Sequence, residues 1–134
     1  MITAMYSAIL EHLNTGWAFA TPIHFPNSKQ PVAAPYIRAT FLPVGSTQAE
    51  IGENGMARHD GIFVIDVFVE VDSGIGGAAT YMDDLIALFT RGTQVTKSGL
   101  TATFAEPEPL AGRDDGHGYF QVQIHCPWYV FYTN

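Results

Sequence analysis

The stretch "IFVIDVFVEVDSGIGGAATYMDDLIALF", residues 62–89, decides how this chain is to be read. A run rich in β-branched residues feeds a glycine turn, and a helical pattern follows. Gly74-x-Gly76-x-x-Ala79 fits the loose dinucleotide pattern of strand, glycine turn and helix. A dinucleotide fold needs a parallel sheet buried on both faces, with strands apolar throughout. The strand here alternates instead. Phe63, Ile65, Val67, Val69 and Val71 share one face, and a mixed row with Asp66 and Glu70 holds the other. The pattern also asks for an acidic residue about 20 positions on, where this chain has Thr96, Lys97 and Ser98. The glycines therefore read as a strand end and a helix start.

The same parity recurs along the chain. Phe120, Val122, Ile124, Cys126 and Trp128 oppose Gln121, Gln123 and His125 in a strand over 119–131. Ile37, Ala39 and Phe41 oppose Arg38 and Thr40 in a strand over 36–44, and Leu100, Ala102 and Phe104 oppose Thr101 and Thr103 in a hairpin over 93–104 that turns at Ser98-Gly99. Helical spacing of Ala78, Met82, Leu85, Ile86 and Phe89 follows the glycine turn. A first helix has Tyr6, Ile9, Leu10 and Leu13 as its apolar positions, with Thr3 as a candidate N-cap and Gly16 as a candidate C-cap. Strands with one greasy and one polar face predict an α+β two-layer sandwich: a mixed or antiparallel sheet of four or more strands with two helices on one face. Its expected core holds Phe63, Ile65, Val67, Leu85, Phe89, Val122 and Ile124. Residues 21–35, with four prolines, read as an extended connector. Residues 45–60, with three glycines, read as a long loop or hairpin tip, mobile in the free chain, and "EPEPLAGRDDGHG" reads as a loop.

Composition narrows the function. The 134 residues suit one domain, spanning 1–134, large enough to bury about two thirds of its unfolded surface. Net charge is −7, which disfavours gripping a nucleic acid through counterion release. Only 14 % of residues are charged, against about a quarter in typical domains, so part of the surface is expected to be covered by partners. One cysteine excludes an internal disulfide. The absence of a basic start before Lys29, or of any apolar run near ~18 residues, predicts a soluble, non-secreted chain without a membrane span.

No nucleophile elbow, P-loop, His-Glu-x-x-His or Cys-x-x-Cys is present. Asp114, Asp115 and His117 share one loop, but zinc or EF-hand spacing is missing, and neither metal nor cofactor is expected. Asp66 and Glu70 could imitate a catalytic carboxylate pair, yet Phe68 lies between them on that face; pairing of these acids with Arg38 across strands is the simpler reading. Cys126 falls on the apolar face and reads as an inert core thiol. No catalytic residue is expected, and the chain reads as a non-enzyme.

The segments "IHFPNSKQPVAAPYIRATFLPV", "RHDGIFVIDVFV", "GAATYMDDLIALFTRGTQV" and "GRDDGHGYFQVQIHCPW" resemble, in this order, the tail terminator proteins of long-tailed bacteriophages. They are most similar to the group related to the minor tail protein U of lambda. The resemblance runs from about Ile23 to Trp128; "YVFYTN" extends past it. It implies a structural virion protein, assembled in the host cytoplasm, whose copies form a closed ring, a hexamer, on the head-proximal end of the tail tube. Such a ring ends tube polymerisation and offers the head its joining surface. The implied partners are other copies of the chain, the tail tube protein and a head–tail connector protein, with DNA passing through without tight binding. Arg38, Arg58, Asp66, Glu70, Asp114 and Asp115 are the candidate interface or lumen residues. Arg58 is the side chain of its loop best able to pair with a partner's carboxylates. Two alternatives stand beside this reading: another neck or tube assembly protein, and a small nucleotide-binding enzyme built on Gly74–Ala79.

Overall fold

The computed structural model describes residues 1–17, 21–25, 34–50, 52, 55–71, 76–116 and 118–133. Helix α1 (Ile2–Trp17) opens the chain, followed by strands β1 (Ile23–His24), β2 (Tyr36–Gln48) and β3 (Met56–Glu70). Helix α2 (Gly76–Leu88) precedes β4 (Gln94–Lys97), β5 (Leu100–Phe104), β6 (Glu108–Asp114) and β7 (Tyr119–Thr133). Most of the connector 21–35, along with Ser73, Gly74 and His117, lies outside the described residues.

The sheet runs β1-β2-β3-β7-β5-β4, and β6 also pairs with β7. Every pairing is antiparallel except β1 with β2. The expected two-layer sandwich is not what forms. The chain is 54 % strand and 25 % helix, a curled half-barrel sheet with two helices rather than helices laid on a flat sheet. Strand length accounts for the difference. β3 and β7 pair without a break from Met56↔Thr133 to Glu70↔Tyr119, and right-handed twist accumulates over ladders this long. A register shift between Pro43 and Gly45 of β2, and another between Leu110 and Arg113 of β6, bend the sheet further.

Parity sets the core. Phe63, Ile65, Val67, Val122 and Ile124 from the sheet and Leu85 and Phe89 from the α2 segment lie in one cluster, each at most 1 % exposed. α1 contributes Met5, Ala8, Ile9, Leu13 and Trp17, a stripe rotated from the expected one, so Tyr6 is left 44 % exposed. Gly16 is no cap. It lies inside α1, where an added Cβ would stand 2.3 Å from Leu88 Cδ1, so the glycine lets the two helices meet closely. Gly61 acts likewise in the sheet: the Trp128 ring lies over it, 2.3 Å from where a Cβ would be.

The stretch 45–60 is largely strand. β2 and β3 stay paired out to Gln48↔Ala57, and Ala49 and Glu50 both donate backbone N–H groups to the Met56 carbonyl. β6 occupies what reads in sequence as a loop. It tolerates Pro109 because it pairs, among the described residues, only with β7. The 93–104 hairpin turns at Ser98 and Gly99, both at positive φ, as a two-residue primed turn requires.

Candidate assembly surfaces

The polar side of the sheet carries a bonded network. Asp66, 2 % exposed, sits opposite Arg38 on β2. Arg38 Nε and Nη2 donate to its Oδ2 at 3.2 and 3.1 Å. Gln121 and Gln123 Nε2 donate to Oδ1 at 2.7 and 2.8 Å. His125 Nε2 donates to Gln123 Oε1 at 2.9 Å, which extends the chain of donors. The Arg38 guanidinium also lies 5.2 Å from the Phe68 ring centroid, and Phe68 stacks on Tyr36. A buried carboxylate with four donors is electrostatically complete. It does not project into solvent.

Arg58 is arranged otherwise. Its Nε and Nη2 reach Asp60 Oδ1 at 3.1 and 2.8 Å, and the guanidinium lies 4.2 Å from the Tyr129 centroid and 6.0 Å from that of Phe131. The Asp60 hydrogen bond raises the already high Arg58 pKa. The charge is thus answered within the subunit. Glu70, Asp114 and Asp115 gather at the opposite end of the sheet, where Glu70 pairs with Tyr119 and Asp114 with Phe120. Asp114 Oδ1 accepts from Gly116 N, and Asp115 Oδ1 from Tyr119 N, so both carboxylates cap the turn. Of the candidate residues, the structure joins Arg38 to Asp66 and groups these three acids; Arg58 stands apart from both sets.

Cys126 is fully buried on the core side, and burial pushes its thiol pKa up to about 12. No group of three or more His, Cys, Asp or Glu among the described residues is arranged to hold a metal. β3, the strand before the glycine turn, has antiparallel neighbours on both sides, unlike a dinucleotide-binding strand. No described helix is long and apolar enough to cross a membrane.

Three surface features escaped the sequence. The far ends of β2, β3 and β7, with β7 still bonded to β5 from Trp128 to Val130, form an arm on which Leu42, Val44 and Phe131 are 43, 65 and 44 % exposed. Between α1 and β2 lies an apolar slot of about 190 Å³ lined by Tyr6, Leu10, Phe25, Ala39, Thr40 and Phe41. On the arm, the Tyr132 hydroxyl donates to Ser46 Oγ at 3.1 Å, and Ser46 Oγ lies 2.7 Å from His59 Nδ1. His59 Nε2 and Trp128 Nε1 are buried there without a hydrogen-bond partner among the described residues. Alternation gives side-chain faces but not where a strand outruns its neighbours, so the arm had no signal in the sequence beyond the strand pattern itself.

The chain is similar in fold to a solved structure at 20 % identity with TM-score 0.76, covering 94 % of this chain and 92 % of that one. A second solved structure, described as the virion of a native gene transfer agent particle, matches at 18 % identity with TM-score 0.60, covering 98 % and 97 %. No curated protein matches. The family described as phage tail terminator protein matches residues 4–128, a span that takes in every segment carrying the resemblance noted above. The chain belongs to the phage tail terminator protein family and is a structural protein of the virion.

Proposed function

We propose that the protein closes as a ring of identical subunits on the head-proximal end of the tail tube, stops tube growth, and gives the head its joining surface. The family match over residues 4–128 carries this reading. The resemblance of the fold to a protein of a gene transfer agent virion supports it. Six copies is the ring size the tail-terminator resemblance implies, and the tail tube protein and a head–tail connector are the partners it brings.

DNA passes through such a ring and must slide. Each subunit carries −7, and a ring multiplies that charge, which repels the duplex and keeps it centred within the ~8–10 Å reach of screening. Glu70, Asp114 and Asp115 lie nearer the lumen or an axial rim than the outer wall. Asp66, enclosed by its four donors, contributes no field of that kind.

Electron microscopy of the purified protein, alone and mixed with growing tail tubes, is the test. Single-layer rings and tubes of fixed length support the reading. Long tubes made of this protein alone point instead to a tube-forming subunit, and tubes that keep growing in its presence overturn the capping role.

A further inference from the structure

We infer that neighbouring subunits meet through the arm of one copy and the α1–β2 slot of the next, an inference that rests on the ring reading above. Two copies at −7 repel each other, so their contact forms where charge is locally absent or cancelled. Both surfaces meet that condition. The arm strands 42–48, 56–62 and 127–133 hold one cation and one carboxylate, Arg58 and Asp60, already bound to each other, and the Glu50 carboxylate at the tip accepts from Met56 N. The slot lining carries no Lys, Arg, Asp or Glu.

Position reinforces this. The acids Glu70 and Asp114 stand at the other end of the 15-residue β3–β7 ladder. Along the strands that is about 26 Å from Glu70 to Ile62, where the arm begins, and about 40 Å to Arg58 opposite Phe131, several screening lengths. Of the six large apolar side chains exposed among the described residues, Leu42, Val44 and Phe131 lie on the arm, Ile2 and Tyr6 on α1 with Tyr6 lining the slot, and Val71 next to Glu70 at the other end.

Shape supplies the direction of fit. Phe131 stands out from the arm, flanked by Tyr129 at 5.8 Å between centroids and backed by Arg58. This ring is held before any contact forms, which lowers the ordering cost of binding. The slot is about 190 Å³, a volume suited to one aromatic side chain, and Tyr6 and Phe41 line it edge to face at 5.5 Å. Pro43 and the adjacent register shift blunt the outer edge of β2, which favours contact by side chains over an open-ended continuation of the sheet. Arm against arm would give a two-fold pair that ends at two copies. Arm into slot is head-to-tail, the kind of contact a ring requires, and repetition closes the ring where the rotation between neighbours returns on itself.

The test uses whole chains carrying Y6C or F131C, mixed and oxidised, with native mass spectrometry of the wild-type protein alongside. Cys126, buried in the core, gives little background. The expected product is a disulfide between position 6 of one chain and position 131 of another. Phe131→Asp is expected to weaken self-association at least tenfold while leaving circular dichroism unchanged. An oligomer that yields 131–131 adducts, or no 6–131 adduct, overturns this contact and leaves the ring standing. A wild-type protein that stays monomeric at every concentration, with and without tail tubes, overturns the ring and the contact together.

Discussion

Asp66 concentrates more polar bonding than any other described side chain, and its removal should be felt throughout the sheet. With Asp66→Ala, Arg38 and the amides of Gln121 and Gln123 lose their shared acceptor. Asp66→Ala takes the buried charge away with it, and Arg38, 39 % exposed, regains water, so the cost is that of the amides left unpaired, about 1–3 kcal/mol in urea unfolding. Arg38→Met should cost more, about 3 kcal/mol, because it leaves the 2 % exposed Asp66 carboxylate without its cation, with only two amides to hold it. Cys126 gives a pH signature. Its folded pKa, pushed up to about 12, lies above the ordinary 9.0, so the unfolded chain ionises first as pH rises. The thiol's contribution to stability is therefore whole below pH 9 and declines between pH 9 and about 12, by at most ~1.4 kcal/mol per pH unit. Alkaline denaturation of the wild type against Cys126→Ala should show this slope in the wild type only. At this scale the sequence was informative. The polar-face positions of Arg38 and Asp66 and the buried thiol follow from parity within a strand, while the Arg38–Asp66 contact itself needs β2 beside β3. The Gln121 and Gln123 donors do not follow from parity either, because alternation says nothing of which strand lies alongside.

Strand interiors were legible and strand ends were not. Val122, Ile124 and Cys126 declare β7 through strict alternation. Pro43 and Gly45 in β2, and Pro109 and Gly112 in β6, look like breakers although both strands continue through them. Each is an outer strand over those residues among the described part of the chain, and proline and bulges are tolerated where only one side must be bonded. The same outer position predicts an exchange pattern. Amides bonded between Ser46↔His59 and Gln48↔Ala57 should exchange markedly more slowly in the free subunit than unpaired chain, by tenfold or more, read by hydrogen–deuterium exchange. Exchange there as fast as in unstructured chain would show that the arm opens away from the body. Helix α1 shows another limit. Tyr6 fits the helical spacing, yet Met5 and Ala8 take the inward positions because the strand face receiving them sets the rotation.

In the whole molecule, Glu70, Asp114 and Asp115 stand at one end of the β3–β7 ladder and the arm, whose Arg58 and Asp60 answer each other, at the other. Flat-sheet reasoning missed this, since curl and overhang arise from ladder length and from which strand stops first, neither of which is written in local periodicity. The polarity gives a charge-swap experiment a clear outcome. Rings with Glu70→Lys and Asp114→Lys should assemble as before, because both side chains stand far from the arm, while DNA release from completed tails slows through new phosphate contacts. Normal release would place these acids on the outer wall. A different consequence comes from β7. It joins β3 along one side and both β6 and β5 along the other, and it is made after all of them. At a synthesis rate of about 5–20 residues per second, every earlier strand emerges from the ribosome before the one that unites them. Until residues 119–133 appear, β3 is bonded only to β2, and the hairpin of β4 and β5 has no seat in the sheet. Ribosome-stalled chains ending before Tyr119 should therefore be protease-sensitive, and those extended past Thr133 and clear of the tunnel resistant. The growing chain thus holds back the arm, which needs β7, until that strand is translated, so a half-made subunit lacks one of the two surfaces proposed for assembly.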